Sequence, residues 1–157
     1  MISSPIRRAA PAFAALLALA AGFASAAQTQ PQAKAPAAGP TLKATLTGAA
    51  EKPTPGDAKG SGTVTLHVDP ARNQVCYELE VKGIAPATVA HIHQAAPTES
   101  GPPLADLKAP GADGKSSGCV AAGPILLKGL TDNPSAYYVN VHNAQYKSGA
   151  LRGQLGR

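Results

Sequence analysis

Four histidines are the residues of this chain best suited to chemistry. His91 and His93 form an H-x-H pair, His142 follows late in the chain, and His67 precedes them all. Successive side chains of a β-strand point to opposite faces, so His91 and His93 share one face and Ile92 takes the other. Because Ile92 is the natural core residue, the histidine pair is predicted to face outward.

The same alternation places the other two histidines on outer faces. In the segment YYVNVH, residues 137–142, two valines take the core face and His142 the outer face. His67 alternates with apolar neighbours and faces outward too. Imidazole is a common ligand of copper and zinc. The sequence therefore predicts a surface metal site formed by His91, His93 and His142, with copper favoured over zinc and His67 as a candidate fourth ligand.

A plainer interpretation stays open, because histidines on the polar face of a strand are often only solvated or hydrogen-bonded. Residues 97–118 are rich in Gly, Pro and Ser and are expected to fold over the histidines as a lid. Glu99 and Asp106 in that segment are the nearby carboxylates, and simple solvation accounts for both. The chain has no HExxH, no G-x-S-x-G and no glycine-rich phosphate loop. No catalytic residue is assigned, and an enzyme is the less favoured class.

The elements that position these histidines have a period of two. Residues 64–68 and 75–82 alternate apolar and polar side chains, and the turn sequence DPARN between them indicates an antiparallel hairpin. Further strands are expected near 42–48, 88–94, 117–122, 136–143 and 150–155, with a helical turn at 125–130. This pattern predicts an all-β, antiparallel Greek-key sandwich or barrel, of the immunoglobulin or superoxide dismutase kind.

The N-terminal region has the composition of an export signal. Arg7 and Arg8 precede an apolar stretch at 12–23, and an Ala-Ser-Ala cleavage site ends at residue 26. A transmembrane anchor is the alternative, but the apolar stretch is shorter than the roughly 20 residues that span a bilayer. We expect a cleaved signal at 1–26, a Pro/Ala/Gln-rich linker at 27–40 and a folded domain at 41–157, in the periplasm or secreted. The arginine pair leaves twin-arginine export open.

Charge and cysteine content limit the classes of partner and the compartment that we expect. The formal net charge is +5, and removing the signal leaves +3 with no basic cluster, so we expect no nucleic-acid partner. After signal removal we expect a monomer without a membrane span. The two cysteines, Cys76 and Cys119, predict a disulfide in an oxidising compartment. Free thiols acting as metal ligands or as a redox pair are the alternative, although the close C-x-x-C spacing is missing.

Four segments resemble the chordin-type (CHRD) domain. They are LTGAAE at 46–51, AHIH at 90–93, NPSAYYVNVHN at 133–143 and GALRGQL at 149–155. The resemblance covers about residues 41–157 and implies an extracellular or envelope-exported β domain without an established general enzymatic activity. The chain departs from the family after His93, where QAAPTESGPP replaces the usual glycine-rich loop.

A fainter similarity is to the copper/zinc superoxide dismutases, which carry an H-x-H pair outside a Greek-key barrel, a later copper-binding histidine, a disulfide and an arginine near the C-terminus. It implies that His91, His93 and His142 bind copper and that Arg152 steers an anion. A structural ion pair or hydrogen bond is the favoured alternative for Arg152. No counterpart of the zinc site is present.

Three functions follow from these observations. The first is an exported CHRD-domain binding protein of the cell envelope with a histidine site for copper. The second is a copper redox enzyme resembling superoxide dismutase. The third is a metal-free adhesion or protein-interaction module, whose partner would be an envelope or extracellular protein.

Overall fold

The computed structural model describes residues 39–157, so the predicted export signal and most of the predicted linker lie outside the described residues. The described chain forms eight strands, one α-helix and a 3₁₀ turn. These elements are β1 Thr41–Thr47, β2 Ser61–Asp69, β3 Gln74–Lys82, β4 Ala87–Gln94, β5 Pro103–Leu107, β6 Lys115–Ala121, α1 Pro124–Asp132, the 3₁₀ turn Pro134–Ala136, β7 Tyr137–Asn143 and β8 Leu151–Gln154. No helix within 39–157 has the length and apolar character needed to cross a membrane.

The strands form one antiparallel sheet in the order β5-β4-β7-β8-β1-β2-β3-β6. Its edge strands β5 and β6 approach each other, so the sheet curls into a nearly closed barrel. β7 returns to pair with β4 after the chain has passed through β5 and β6, which is a Greek-key connection. The predicted all-β Greek-key fold is confirmed.

Alternation along the strands builds the core. In β1, and in β2 from Val64 onward, every second residue is buried, because apolar side chains point into the barrel and polar ones point outward. Helix α1 begins at Pro124, where proline's missing N–H needs no helical partner, and its leucines close the core. The fully buried apolar residues include Leu42, Leu46, Leu66, Ile92, Leu130, Val139, Val141 and Leu151.

The segment 97–118 differs from the prediction. It was expected to be a lid, but residues 103–107 form β5, which pairs with β4 at the sheet edge. Pro103 is tolerated because it opens an edge strand, and Leu107 reaches the core. The cover over the histidines is therefore the shorter stretch 95–102. The predicted helical turn at 125–130 is confirmed as part of α1.

The predicted disulfide is confirmed and joins β3 to the edge strand β6. Cys76 and Cys119 face each other directly in the register of these strands. Their neighbours Val75 and Tyr77 point into the core, so the bridge lies on the outer face of the barrel. It links the last strand of the sheet to its neighbour from the solvent side.

Candidate metal site

The three histidines predicted as ligands come together on the outer face of two neighbouring strands. β4 supplies His91 and His93, and β7 supplies His142, which lies opposite Val89 in the register. One ring nitrogen from each histidine can be chosen so that all three lie within 4.8 Å of one another. Because β4 and β7 lie far apart in the sequence, this cluster depends on the Greek-key connection.

The spacing within the cluster suits one small metal ion. His91 Nδ1 lies 3.2 Å from His142 Nε2. Two nitrogens bound at 2.0–2.1 Å to a tetrahedral ion lie about 3.3 Å apart, so this pair already has the separation of metal ligands. His93 Nε2 contacts the Asn140 side chain at 3.0 Å. His93 must release Asn140 and move toward the other two rings to complete a three-nitrogen site.

Each histidine also has a partner for its second ring nitrogen. His93 Nδ1 donates to the carbonyl oxygen of Gly101 at 2.9 Å, and His142 Nδ1 donates to that of Lys147 at 2.9 Å. The Nε2 atom of His142 then carries the lone pair in the neutral form. His93 Nε2 also faces an oxygen, that of the Asn140 side chain, and must turn from it to offer a lone pair to a metal. His91 Nε2 lies 3.7 Å from the Asp106 carboxylate. Such outer partners commonly fix the tautomer and orientation of metal-binding histidines.

Burial favours the neutral form of two of the three histidines, His91 and His93. Burial is the main factor that lowers the pKa of His91, and the neighbouring His142 and His93 lower it further. Burial likewise lowers the pKa of His93, which is 6 % exposed, against the opposing effect of its hydrogen bonds. Metal binding requires neutral imidazole, so both residues are available as ligands at neutral pH.

Arg152 holds the cover of the site in place. Its guanidinium donates to the carbonyl oxygens of Glu99 at 2.6 Å and Ala96 at 2.9 Å. It lies 3.5 Å above the centre of the Tyr138 ring, which stacks on the ring of His93 with centres 4.7 Å apart. Arg152 is 1 % exposed, and its contacts are those of a structural residue that fixes the segment 95–102.

A second buried polar group, Glu51, adjoins the site through Asn140. Glu51 is 1 % exposed and lies beside the Asn140 side chain and near Arg152. Burial raises the pKa of Glu51, although the hydrogen bond from the Lys52 amide opposes the rise. Gly149 has a φ of 137°, and a Cβ there would collide with the Glu51 carboxyl group. Sequence reasoning missed Glu51 as a site neighbour; its position in the family-like segment LTGAAE was the available indication.

His67 does not join the cluster. It lies on β2, and its Nδ1 is 3.0 Å from the Thr41 hydroxyl. The order of strands places β7, β8 and β1 between β2 and β4, so outward side chains on β2 and β4 point to different sides of the barrel. The metal cluster found in residues 39–157 comprises His91, His93 and His142 alone.

Comparison with known protein families agrees with this architecture. The family model of the CHRD domain matches residues 42–155, which include all eight strands nearly in full and all three clustered histidines. Comparison with curated proteins and with solved structures gives no significant match.

Proposed function

The chain belongs to the CHRD domain family, and we propose that it is an exported metal-binding protein of the cell envelope whose His91, His93 and His142 hold copper. One observation carries the proposal. The three imidazoles meet on one face, and the second nitrogen of each faces a carbonyl or carboxylate oxygen. Solvated surface histidines need no such partners, whereas metal ligands commonly have them.

The donor set supports copper over other ions. Three neutral imidazoles and no carboxylate ligand make a poor site for calcium or magnesium, which bind oxygen. Among divalent first-row metals, affinity rises to copper and falls again at zinc. An all-imidazole site is therefore expected to bind copper more tightly than zinc.

Two features support export. The first 26 residues have the composition of a signal peptide. The cysteines of the folded domain are joined in a disulfide, the state that cysteines keep in oxidising compartments. A metal module in the envelope would meet copper before the ion reaches the cell interior.

Calorimetric titration of the mature protein with copper and with zinc tests the site. We expect one equivalent of copper to bind more tightly than zinc, and we expect binding to be lost in H91A/H93A. The matched control is H67A, which removes an exposed histidine outside the cluster and should bind copper as the parent does. Equal copper binding by H91A/H93A, or no binding by the parent, would overturn the proposal.

A second measurement separates metal holding from redox catalysis. Superoxide consumption by the copper-loaded protein is expected to stay at the level of the same concentration of H142A mixed with copper. Copper-dependent consumption that vanishes in H142A would instead identify a redox enzyme. Absence of any bound metal would leave an interaction module.

A further inference from the structure

A row of histidine, cysteine and threonine side chains crosses the outer face of the barrel away from the first site. In the register of β1, β2, β3 and β6, Thr41 lies opposite His67, His67 opposite Cys76, and Cys76 opposite Cys119. Residues directly opposite each other project to the same face, with Cβ atoms about 4.5–5.5 Å apart. The four side chains therefore form one continuous row, which we name the cysteine row.

The disulfide in this row is accessible. Cys119 is exposed and Cys76 is partly exposed, because both project away from the core on the outer face. Exposed disulfides are in general more easily reduced than buried structural ones. A reductant can therefore approach the bridge from the outer face of the barrel.

His67 lies next to Cys76 in the row, and its ring is hydrogen-bonded to Thr41 on the other side. Its Nδ1 lies 3.0 Å from the Thr41 hydroxyl, and within residues 39–157 no hydrogen-bond partner is found for its Nε2. An imidazole fixed through one nitrogen with the other available is the arrangement that metal-binding histidines commonly have. The nearby disulfide prevents this geometry from forming a site, because bonded sulfurs have no thiolate charge to offer.

We propose that reduction of the Cys76–Cys119 disulfide creates a second metal site, in which two thiolates and His67 bind Zn²⁺ or Cu⁺. The reductant is a dithiol, which transfers two electrons and two protons to the bridge and is itself oxidised to a disulfide. The metal ion then displaces one proton from each cysteine thiol. Both ions are well suited to thiolate and imidazole ligands.

The dimensions of the sheet agree with this step. The Cα atoms of Cys76 and Cys119 lie 3.9 Å apart. Two thiolates bound to zinc at about 2.3 Å in tetrahedral geometry lie about 3.8 Å apart, so the sulfurs separate by side-chain rotation while the strands stay in register. Cys76 occupies the middle of the row, between Cys119 and His67. A metal ion bound by Cys76 can thus be bound by Cys119 from one side and by His67 from the other. Water takes the fourth coordination position.

Zinc titration in a background without the first site tests the proposal. The parent for this experiment is the full chain carrying H91A/H93A, prepared oxidised or reduced with a dithiol and freed of reductant without oxygen. We expect no tight zinc binding by the oxidised form and one equivalent by the reduced form. Both thiols should become unreactive toward a thiol reagent when zinc binds. Adding H67A should weaken zinc binding at least about tenfold, the lower end of the loss seen when even an outer partner of a ligand is removed.

Controls make each outcome decisive. C76S/C119S in the same background should bind no zinc under either condition, and T65A, which alters an outward residue on the same strand as His67, should leave the affinity of the reduced form unchanged. The proposal is overturned if the reduced protein binds no zinc, or if H67A binds as tightly as its parent. Loss of the β-sheet signal in circular dichroism on reduction would overturn it too, because the row exists only while the strands are paired.

Discussion

Replacing Arg152 by lysine separates the two roles that the sequence left open for this residue. Lysine keeps the positive charge, so any steering of an anion would persist, but it loses the planar fork of donors. Arg152 binds the carbonyl oxygens of Glu99 and Ala96 through different nitrogens, while an ammonium group in its place can reach one of them well. The substitution therefore tests whether the fork holds the segment 95–102 against the barrel.

The contacts set the expected size of the effect. A hydrogen bond from a charged group contributes about 1.5–3 kcal/mol, and the guanidinium stacked on Tyr138 adds about 1 kcal/mol. We expect R152K to lower the free energy of unfolding by roughly 2–4 kcal/mol. At about 4 °C per kcal/mol for a domain of this size, the Tm falls by roughly 8–16 °C. Because the segment 95–102 also holds His93 through Gly101, copper affinity should fall about tenfold.

Thermal unfolding of the metal-free, oxidised protein followed by circular dichroism measures the stability change. R72K is the matched control, since Arg72 is largely exposed and its ion pair with Asp69 lies on the surface. Such pairs contribute about 0–1 kcal/mol, so the Tm of R72K should stay within about 4 °C of the parent. An R152K protein that unfolds at the parent's Tm would refute the structural role assigned to Arg152.

Three further predictions concern neighbours of the site. Burial raises the pKa of Glu51, so the folded state holds that proton more tightly than the unfolded state; its stabilising contribution is complete below the ordinary pKa of 4.5 and is lost as pH rises through the folded value. E51Q should therefore gain stability relative to the parent as the pH of thermal unfolding experiments increases, and a constant difference would contradict this. D106N should weaken copper binding up to about tenfold in calorimetry, since Asp106 faces His91 Nε2, while the Tm stays unchanged. G149A should lower the free energy of unfolding by about 1–3 kcal/mol in denaturant titrations, whereas G156A, whose Cβ meets nothing within 4 Å, should change it little.

The alternation of apolar and polar residues was enough to predict most strands and the face on which each histidine lies. Ile92 is fully buried, and its neighbours His91 and His93 project to the outer face, as the alternation indicated. The disulfide also followed from cysteine count and compartment. The strands and their faces depend on local alternation, and the disulfide depends only on the two cysteines and their compartment. Both could therefore be predicted from the sequence alone.

What the sequence could not show depends on contacts between distant segments. Local alternation predicts that His67 faces outward but not toward which side of the curved sheet. Its distance from the histidine cluster follows only from the order of the strands. His93 lies outside the barrel and is still buried, because the segment 95–102 covers it. The burial of Arg152 under this segment and that of Glu51 against Gly149 likewise depend on loops that no periodicity describes.

The seam where β5 and β6 approach each other affects how copies of this domain can meet. Exposed strand edges offer unpaired backbone groups, and a second chain can add its own strand there and begin aggregation. Here β5 has only five residues and opens with Pro103, and β6 opens with Lys115, both features that discourage strand addition. The two edges also face each other across the seam. Copies of this domain at high concentration would therefore have few free backbone groups through which to join into fibres.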